Sequence, residues 1–162
     1  MKLDAVVHLA QSNRYREFPE AAAQVSGVIV QGAVLAADVA WRCSAGQLLY
    51  ASSGSVYAPS HAPMTEATPP QPRDFYAHCK LTGEQLLEDF RKQFELKIVR
   101  PFFVYGPGQR PPMLLPRLID SVRTGQPITL EPAAGEAPGH GGLRFTPHYI
   151  DDHVECLVRV LR

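Results

Sequence analysis

Apolar residues fall along the chain in two alternating patterns. Ala5 to Ala10 is a short run with two adjacent valines, the length of a buried strand and too short for a core helix. From Glu20 to Arg42 the positions Val25, Val28, Ile29, Gly32, Leu35 and Ala36 recur at three- and four-residue spacings, which predicts a long helix. Gln47 to Ala51 predicts a second buried strand, running into the polar loop Ser52-Ser53-Gly54-Ser55. A proline-rich loop spans Pro59 to Pro72. Phe75 to Gln93 predicts a helix with Leu81, Leu86, Leu87 and Phe90 on its apolar side, and Leu96 to Val99 a third strand that breaks at Pro101. Beyond the Gly106-Pro107-Gly108 turn, Leu114 to Thr124 reads as a helix and Ile128 to Leu130 as a short strand. Pro132 to Gly142 reads as the least ordered stretch, and Asp151 as the N-cap of a last helix.

Strand, helix, strand, helix, strand describes an α/β fold, a parallel sheet with crossover helices. Ligands of such sheets bind beyond the carboxyl ends of the strands, which places candidate chemistry just after Ala10, Ala51 and Arg100. There is no internal repeat and no block of like charge.

Composition narrows the functional classes. The 162 residues are 45% apolar, enough for one domain with a real core, yet few for an enzyme that must hold a dinucleotide and a second substrate. The 12 glycines and 15 prolines stay below the ~25–30% at which low-complexity behaviour sets in. Sixteen basic and sixteen acidic residues leave no broad cationic face for a nucleic acid. Cys43, Cys79 and Cys156 are odd in number, far apart and without metal-ligand spacing, which suits free thiols in a reducing compartment. Asp4 and His8 interrupt the N-terminal stretch where a signal peptide needs unbroken apolar sequence, and no later run approaches ~18 apolar residues. A soluble, cytoplasmic protein with no membrane partner is the expectation. His148 and His153 flank Asp151 and Asp152 at a spacing that fits no common ligand pattern, so they read as exposed histidines beside a capping aspartate, with no metal.

The candidate chemistry lies after the second strand. Tyr76 and Lys80 stand four apart on the helix beginning at Phe75, which puts them on one face. A tyrosine is a poor base at neutral pH, but a nearby ammonium favours the phenolate and draws its pKa down from ~10. Tyr76 can then exchange a proton with a substrate hydroxyl while a hydride moves, and Ser53 can hold that hydroxyl in line. The plain alternative is a tyrosine edging an apolar face beside a solvated lysine.

Asp4-Ala-Val-Val-His-Leu-Ala10, Ser52-Ser53-Gly-Ser-Val56-Tyr57, Tyr76-x-x-x-Lys80, Arg100-Pro-Phe-Phe-Val-Tyr-Gly-Pro-Gly108 and Tyr149-Ile-Asp-Asp152 follow one another through the chain. In that order they resemble the motifs of the NAD-dependent epimerase/dehydratase family, the extended short-chain dehydrogenases that act on nucleotide sugars. The resemblance implies a Rossmann-like sheet and NAD as cofactor. It makes Tyr76 the catalytic tyrosine, Lys80 the lysine that also bonds the nicotinamide ribose, and Ser53 the serine on the sugar's reacting hydroxyl. It puts Leu9, Ala10 and Gln11 where the family's fourth strand passes the cofactor, and Phe102 where backbone nears the nicotinamide. Arg144 resembles an arginine that grips the nucleotide diphosphate, as a bidentate guanidinium can; an ordinary loop arginine is the alternative.

Departures from the family pattern refine the expectation. Dehydratases usually carry an acid inside the Ser/Thr-x-x-Val-Tyr motif, where this chain has Gly54 and Ser55, so 4-epimerase-like chemistry is favoured, with a sugar or carbonyl reductase or dehydrogenase as the alternative. Gln24 and Phe103 replace common asparagines and Ala58 a common glycine, which leaves the sugar open. None of the twelve glycines builds a Gly-x-x-Gly-x-x-Gly turn after a strand, and the prolines around Gly106 and Gly108 remove amide donors that a phosphate cradle needs. The chain therefore reads as the family from its fourth strand onward, without its first strands and with part of the substrate region. The expected organisation is a partial NAD-binding domain over 1–110 and a partial substrate-binding region over 111–162. A homodimer through helices 20–42 and 75–93 is expected by resemblance. The other reading is a catalytically silent remnant that binds a partner along an exposed strand edge.

Overall fold

A computed structural model describes residues 2–60, 62–110, 113–128 and 145–162. Two compact units are present, Met1–Phe102 with Leu157–Arg162, and Phe103–Cys156.

The first unit is built on a parallel sheet in the order β1 (Ala5–His8), β2 (Gln47–Ala51), β3 (Glu95–Val99). Its register sets Val6 beside Leu48 and Leu96, and His8 beside Tyr50 and Ile98. With a side-chain period of two, those rows share one face. The long helix Ala22–Arg42 packs on this face as α1 (Ala22–Ser26), a π-helical turn (Gly27–Gln31) and α2 (Gly32–Arg42), together with α3 (Phe75–Glu88). Ala33, Ala37 and Ala40 are fully buried along one stripe of α2, and their small size lets the helix lie close to Leu48, Tyr50 and Leu87. Each buried leucine or isoleucine here contributes about 1.5–3 kcal/mol by leaving water.

The expected elements recur with shifted ends. The first strand stops at His8 because β2 offers its last pair there, at Tyr50. The first helix starts at Ala22, after Pro19, whose nitrogen cannot donate, and a turn closed by Ala21 N–H on Glu17 O at 2.7 Å. The second long helix ends at Glu88; Phe90 turns in to stack on Phe94, with ring centroids 6.1 Å apart. The expectation of no apolar run long enough for a membrane needs correction. Ala22–Arg42 is long and apolar enough by length and composition, while its stripe Val25, Ile29, Ala33, Ala37 and Ala40 is buried within the first unit.

Gly83 shows how tightly α3 lies on the sheet. A Cβ there would stand 2.5 Å from the Tyr50 hydroxyl and 3.6 Å from the Ala33 Cβ. Glycine to alanine in a helix normally stabilises by about 0.5–1 kcal/mol. Here the Tyr50 ring is 1% exposed and has nowhere to go. Gly83→Ala is expected to destabilise by about 1–3 kcal/mol as an overpacked core, read as a lower urea midpoint with unchanged slope.

The second unit holds β4 (Val104–Tyr105) paired in parallel with β5 (His148–Tyr149), α4 (Leu114–Thr124) and most of α5 (Ile150–Leu161). The sequence pattern gives neither two-residue strand. Helix α4 ends on Gly125 at φ +66°, a left-handed cap that suits glycine. Asp151 is not the cap of the last helix: α5 begins at Ile150, directly after β5, and Asp151 and Asp152 occupy its first turn, where carboxylates favour the helix dipole. Ile128 is not in a strand; Thr129 and Leu130, and the stretch Pro132 to Gly142, lie outside the described residues.

Candidate active site

Helix α3 carries two of the candidate groups. Asp74 caps it, its side chain accepting from Ala77 N–H at 2.8 Å, so the first turn is fixed where Tyr76 sits. Lys80, one turn on, is not the solvated lysine of the plain alternative. It is 2% exposed, and its ammonium donates to the Ala51 carbonyl at 2.7 Å, at the carboxyl end of β2. The same nitrogen lies 5.3 Å from the Tyr50 ring centre and 5.8 Å from that of Tyr76. His78, inside the same motif, is exposed and bonds back to Asp74 O.

Ser53 opens the next segment of chain. It caps the 3₁₀ turn Gly54–Val56, accepting from Ser55 N–H at 3.2 Å and the Ser55 hydroxyl at 2.9 Å. The Phe102 ring lies where a side chain on Gly54 would stand, and stacks on Tyr57 at 6.1 Å with planes 4° apart. Leu9, Ala10 and Gln11 are exposed just past β1. The Tyr76 hydroxyl donates to Gln11 Oε1 at 2.9 Å, and the Tyr15 ring tilts against that of Tyr76 at 5.0 Å. The sequence did not single out Tyr15, which stands 61 positions before Tyr76. Arg144 lies outside the described residues.

Electrostatics differ from the expectation in one respect. Burial pushes Tyr76 up to about 12, and the Ser53 hydroxyl, bonding toward the phenolate, only partly offsets it. Lys80 is not what sets the balance, since desolvation outweighs an ammonium that is itself buried and directed at a carbonyl. Burial therefore favours Tyr76 as the neutral phenol. Lys80 in turn is drawn down to about 8 by burial, with the Glu84 carboxylate opposing the fall.

That depression has a sign. Between about pH 8 and 10.4 the unfolded chain binds a proton at Lys80 that the folded chain does not, so stability rises with pH through this window and is lowest below it. Lys80→Met is expected to flatten the slope and to gain about 3 kcal/mol near pH 7, read from urea unfolding at pH 7 and pH 10.

Other site expectations resolve simply. His148 and His153 are half-buried rather than exposed, because α5 follows β5 at once and their rings meet edge to face at 5.2 Å. Burial and the neighbouring His148 hold His153 below the usual imidazole range. Among the described residues no group of three or more His, Cys, Asp and Glu could hold a metal. Cys43, Cys79 and Cys156 are free thiols.

The fold and the convergent groups define a parallel α/β protein with a tyrosine, a lysine and a serine beyond its strand ends. The chain belongs to the NAD dependent epimerase/dehydratase family, whose model matches residues 1–162. It is 36% identical over 115 residues to an uncharacterized UDP-glucose epimerase, YtcB, of Bacillus subtilis, covering 70% of this chain and 34% of that protein. It is 27% identical over 163 residues to the mouse (Mus musculus) dTDP-D-glucose 4,6-dehydratase, covering 99% and 44%. The Bacillus cereus UDP-glucuronic acid 4-epimerase, solved with UDP-glucuronic acid and NAD, superposes with a TM-score of 0.80 at 26% identity, covering 98% of this chain and 49% of that one. The chain thus spans between a third and a half of the length of these relatives. The Rossmann-like parallel sheet expected from the motifs is the fold they share.

Proposed function

We propose that the protein is an NAD-dependent nucleotide-sugar 4-epimerase in which Tyr76, Lys80 and Ser53 carry the proton transfer. The observation that carries this reading is the meeting of the Tyr76 phenol, the Lys80 ammonium and the Ser53 hydroxyl where β2 ends. Tyr76 takes the proton of the sugar's 4-hydroxyl and later returns it. Ser53 holds the same oxygen in line, and Lys80 places a positive charge beside the phenolate while it exists. NAD, when bound, would supply the hydride acceptor and donor for inversion at C4.

The residues present fit the nicotinamide end of that cofactor. One N–H of the Lys80 ammonium is used on Ala51 O, leaving two for a ribose. Leu9, Ala10, Gln11 and Phe102 flank the same strand ends and would line its path, with Ser53 and Tyr76 meeting both cofactor and sugar and Lys80 the cofactor. No glycine-rich pyrophosphate turn occurs among the described residues. Arg144 is assigned to the substrate diphosphate by resemblance.

Epimerase rather than dehydratase chemistry is supported at position 54. By resemblance, dehydratases carry an acid at the positions of Gly54 and Ser55, and here the Phe102 ring lies where a side chain on residue 54 would stand. We assign the partial NAD-binding domain to residues 1–110, the partial substrate-binding region to 111–162, and the protein to the cytoplasm. The exposed Leu35, Val39 and Trp41 of α2 and Leu86 of α3 support a homodimer through these helices.

Calorimetric titration of the chain with NAD⁺, followed by assay with UDP-glucuronate and UDP-glucose, tests the proposal. Heat with NAD⁺ and formation of the C4 epimer are expected. No heat up to about 1 mM cofactor, a binding free energy of about −4 kcal/mol, would overturn it. That result would instead support the reading as a silent binding module.

A further inference from the structure

One buried ion pair remains unused by that mechanism. Glu84 follows Lys80 by one turn on the same face of α3 and is 4% exposed. Arg100, just past β3, grips it with both arms of its guanidinium, Nε to Oε1 at 2.9 Å and Nη2 to Oε2 at 2.5 Å. Its remaining arm, Nη1, donates to the Tyr57 hydroxyl, and the guanidinium lies 4.9 Å from the Tyr57 ring centre. Tyr57 stacks on Phe102, Phe102 covers Gly54, and Gly54 N–H donates to Pro101 O at 2.8 Å. An unbroken chain of contacts thus runs from the lysine's helix to the turn that presents Ser53.

We propose that Glu84 and Arg100 are positioning residues that hold the two ends of the site together, Glu84 keeping Lys80 charged and Arg100, through Tyr57, fixing the Ser53 turn. The proposal rests on the reading of Tyr76, Lys80 and Ser53 as the reacting groups. A buried ammonium that donates to one carbonyl and faces two aromatic rings has little else to sustain its charge. The titratable groups around it are His8 on β1, Tyr50 on β2, and Tyr76 and Glu84 on its own helix. Glu84 is the carboxylate among them, and the Arg100 guanidinium past β3, bonded to both its oxygens, is the further charge on that side. Arg100 matters because a fork bonded on both arms leaves the carboxylate one orientation, which a lysine at the same place would not impose.

The test uses the full chain labelled with ¹³C at lysine Cε, Lys80 being assigned among the four lysines by its loss in Lys80→Met. Glu84→Gln leaves Arg100 without its partner and risks misfolding, so the double variant Glu84→Gln/Arg100→Met, which removes both charges, decides the question. Compared with Arg100→Met, which removes the guanidinium alone, the double variant is expected to show a Lys80 midpoint lower by at least about one pH unit, a tenfold change in proton affinity. Exchange of the Gly54 amide is expected to quicken at least about tenfold. A Lys80 midpoint equal in Arg100→Met and the double variant would overturn the role of Glu84, and unmoved Gly54 exchange would overturn that of Arg100. A pair serving only stability would leave the Lys80 midpoint unmoved and quicken exchange of the β2 core amides of Leu48 and Leu49 as much as that of Gly54. Neither measurement needs turnover, so failure of the epimerase assay and failure of this proposal are separate results.

Discussion

Tyr76→Phe is expected to lower turnover of a UDP-sugar by about 10²–10⁴-fold while leaving the affinity for NAD⁺ within about twofold, since it removes one proton-transfer group and nothing that contacts the cofactor's charge. The fold should be untouched. The ring still meets Tyr15 at 5.0 Å, and what is lost is the bond to Gln11. Burial holds the phenol at about 12, so the wild-type rate should climb with pH until the phenolate forms in the complex, and the phenylalanine variant should show a flat profile. Epimer formation followed by NMR against pH, beside calorimetry with NAD⁺, measures both. Wild-type turnover in the variant would remove Tyr76 from the mechanism.

Arg100→Met is expected to cost about 3–5 kcal/mol, because it strands the Glu84 carboxylate in a site 4% exposed to water. The loss should exceed that from replacing any surface pair. Arg42–Asp38 and Arg123–Asp120 are largely solvated, and their like contribute about 0–1 kcal/mol. Glu84→Gln/Arg100→Met should recover much of the loss, since it removes the orphaned charge with its partner. Urea unfolding of wild type, single and double variants reads the difference; a single variant within about 1 kcal/mol of wild type would show that the pair contributes no more than an exposed one.

What the sequence disclosed followed how local each signal is. The strand Gln47–Ala51 was legible residue for residue because five apolar-rich positions lie between polar loops, and in the fold Leu48, Leu49 and Tyr50 are buried. Tyr76 and Lys80 were legible together because four residues on a helix bring two side chains to one face. Strands β4 and β5, at two residues each, are too short to set up any period. The environment of the site was hidden. Gln11 meets Tyr76 across 65 positions and Arg100 meets Glu84 across 16, and Glu84 on a helix reads as one more solvated acid until the sheet brings a guanidinium to it. The Tyr76 titration ran against expectation for the same reason. Proximity to a lysine can be read from spacing, whereas burial belongs to the whole first unit.

The site is carried on two separate pieces of backbone, the helix bearing Tyr76 and Lys80 and the strand end bearing Ser53. Their separation is set where α3 rests on β2, and at that point the gauge is the hydrogen of Gly83 against the Tyr50 hydroxyl. A methyl group on residue 83 therefore acts as a shim. It lifts Tyr76 and Lys80 off Ser53 while leaving the two in register with each other. Because a misplacement of about 1 Å can cost 10²-fold in rate, the smallest side chain in α3 would calibrate the reaction proposed for these groups.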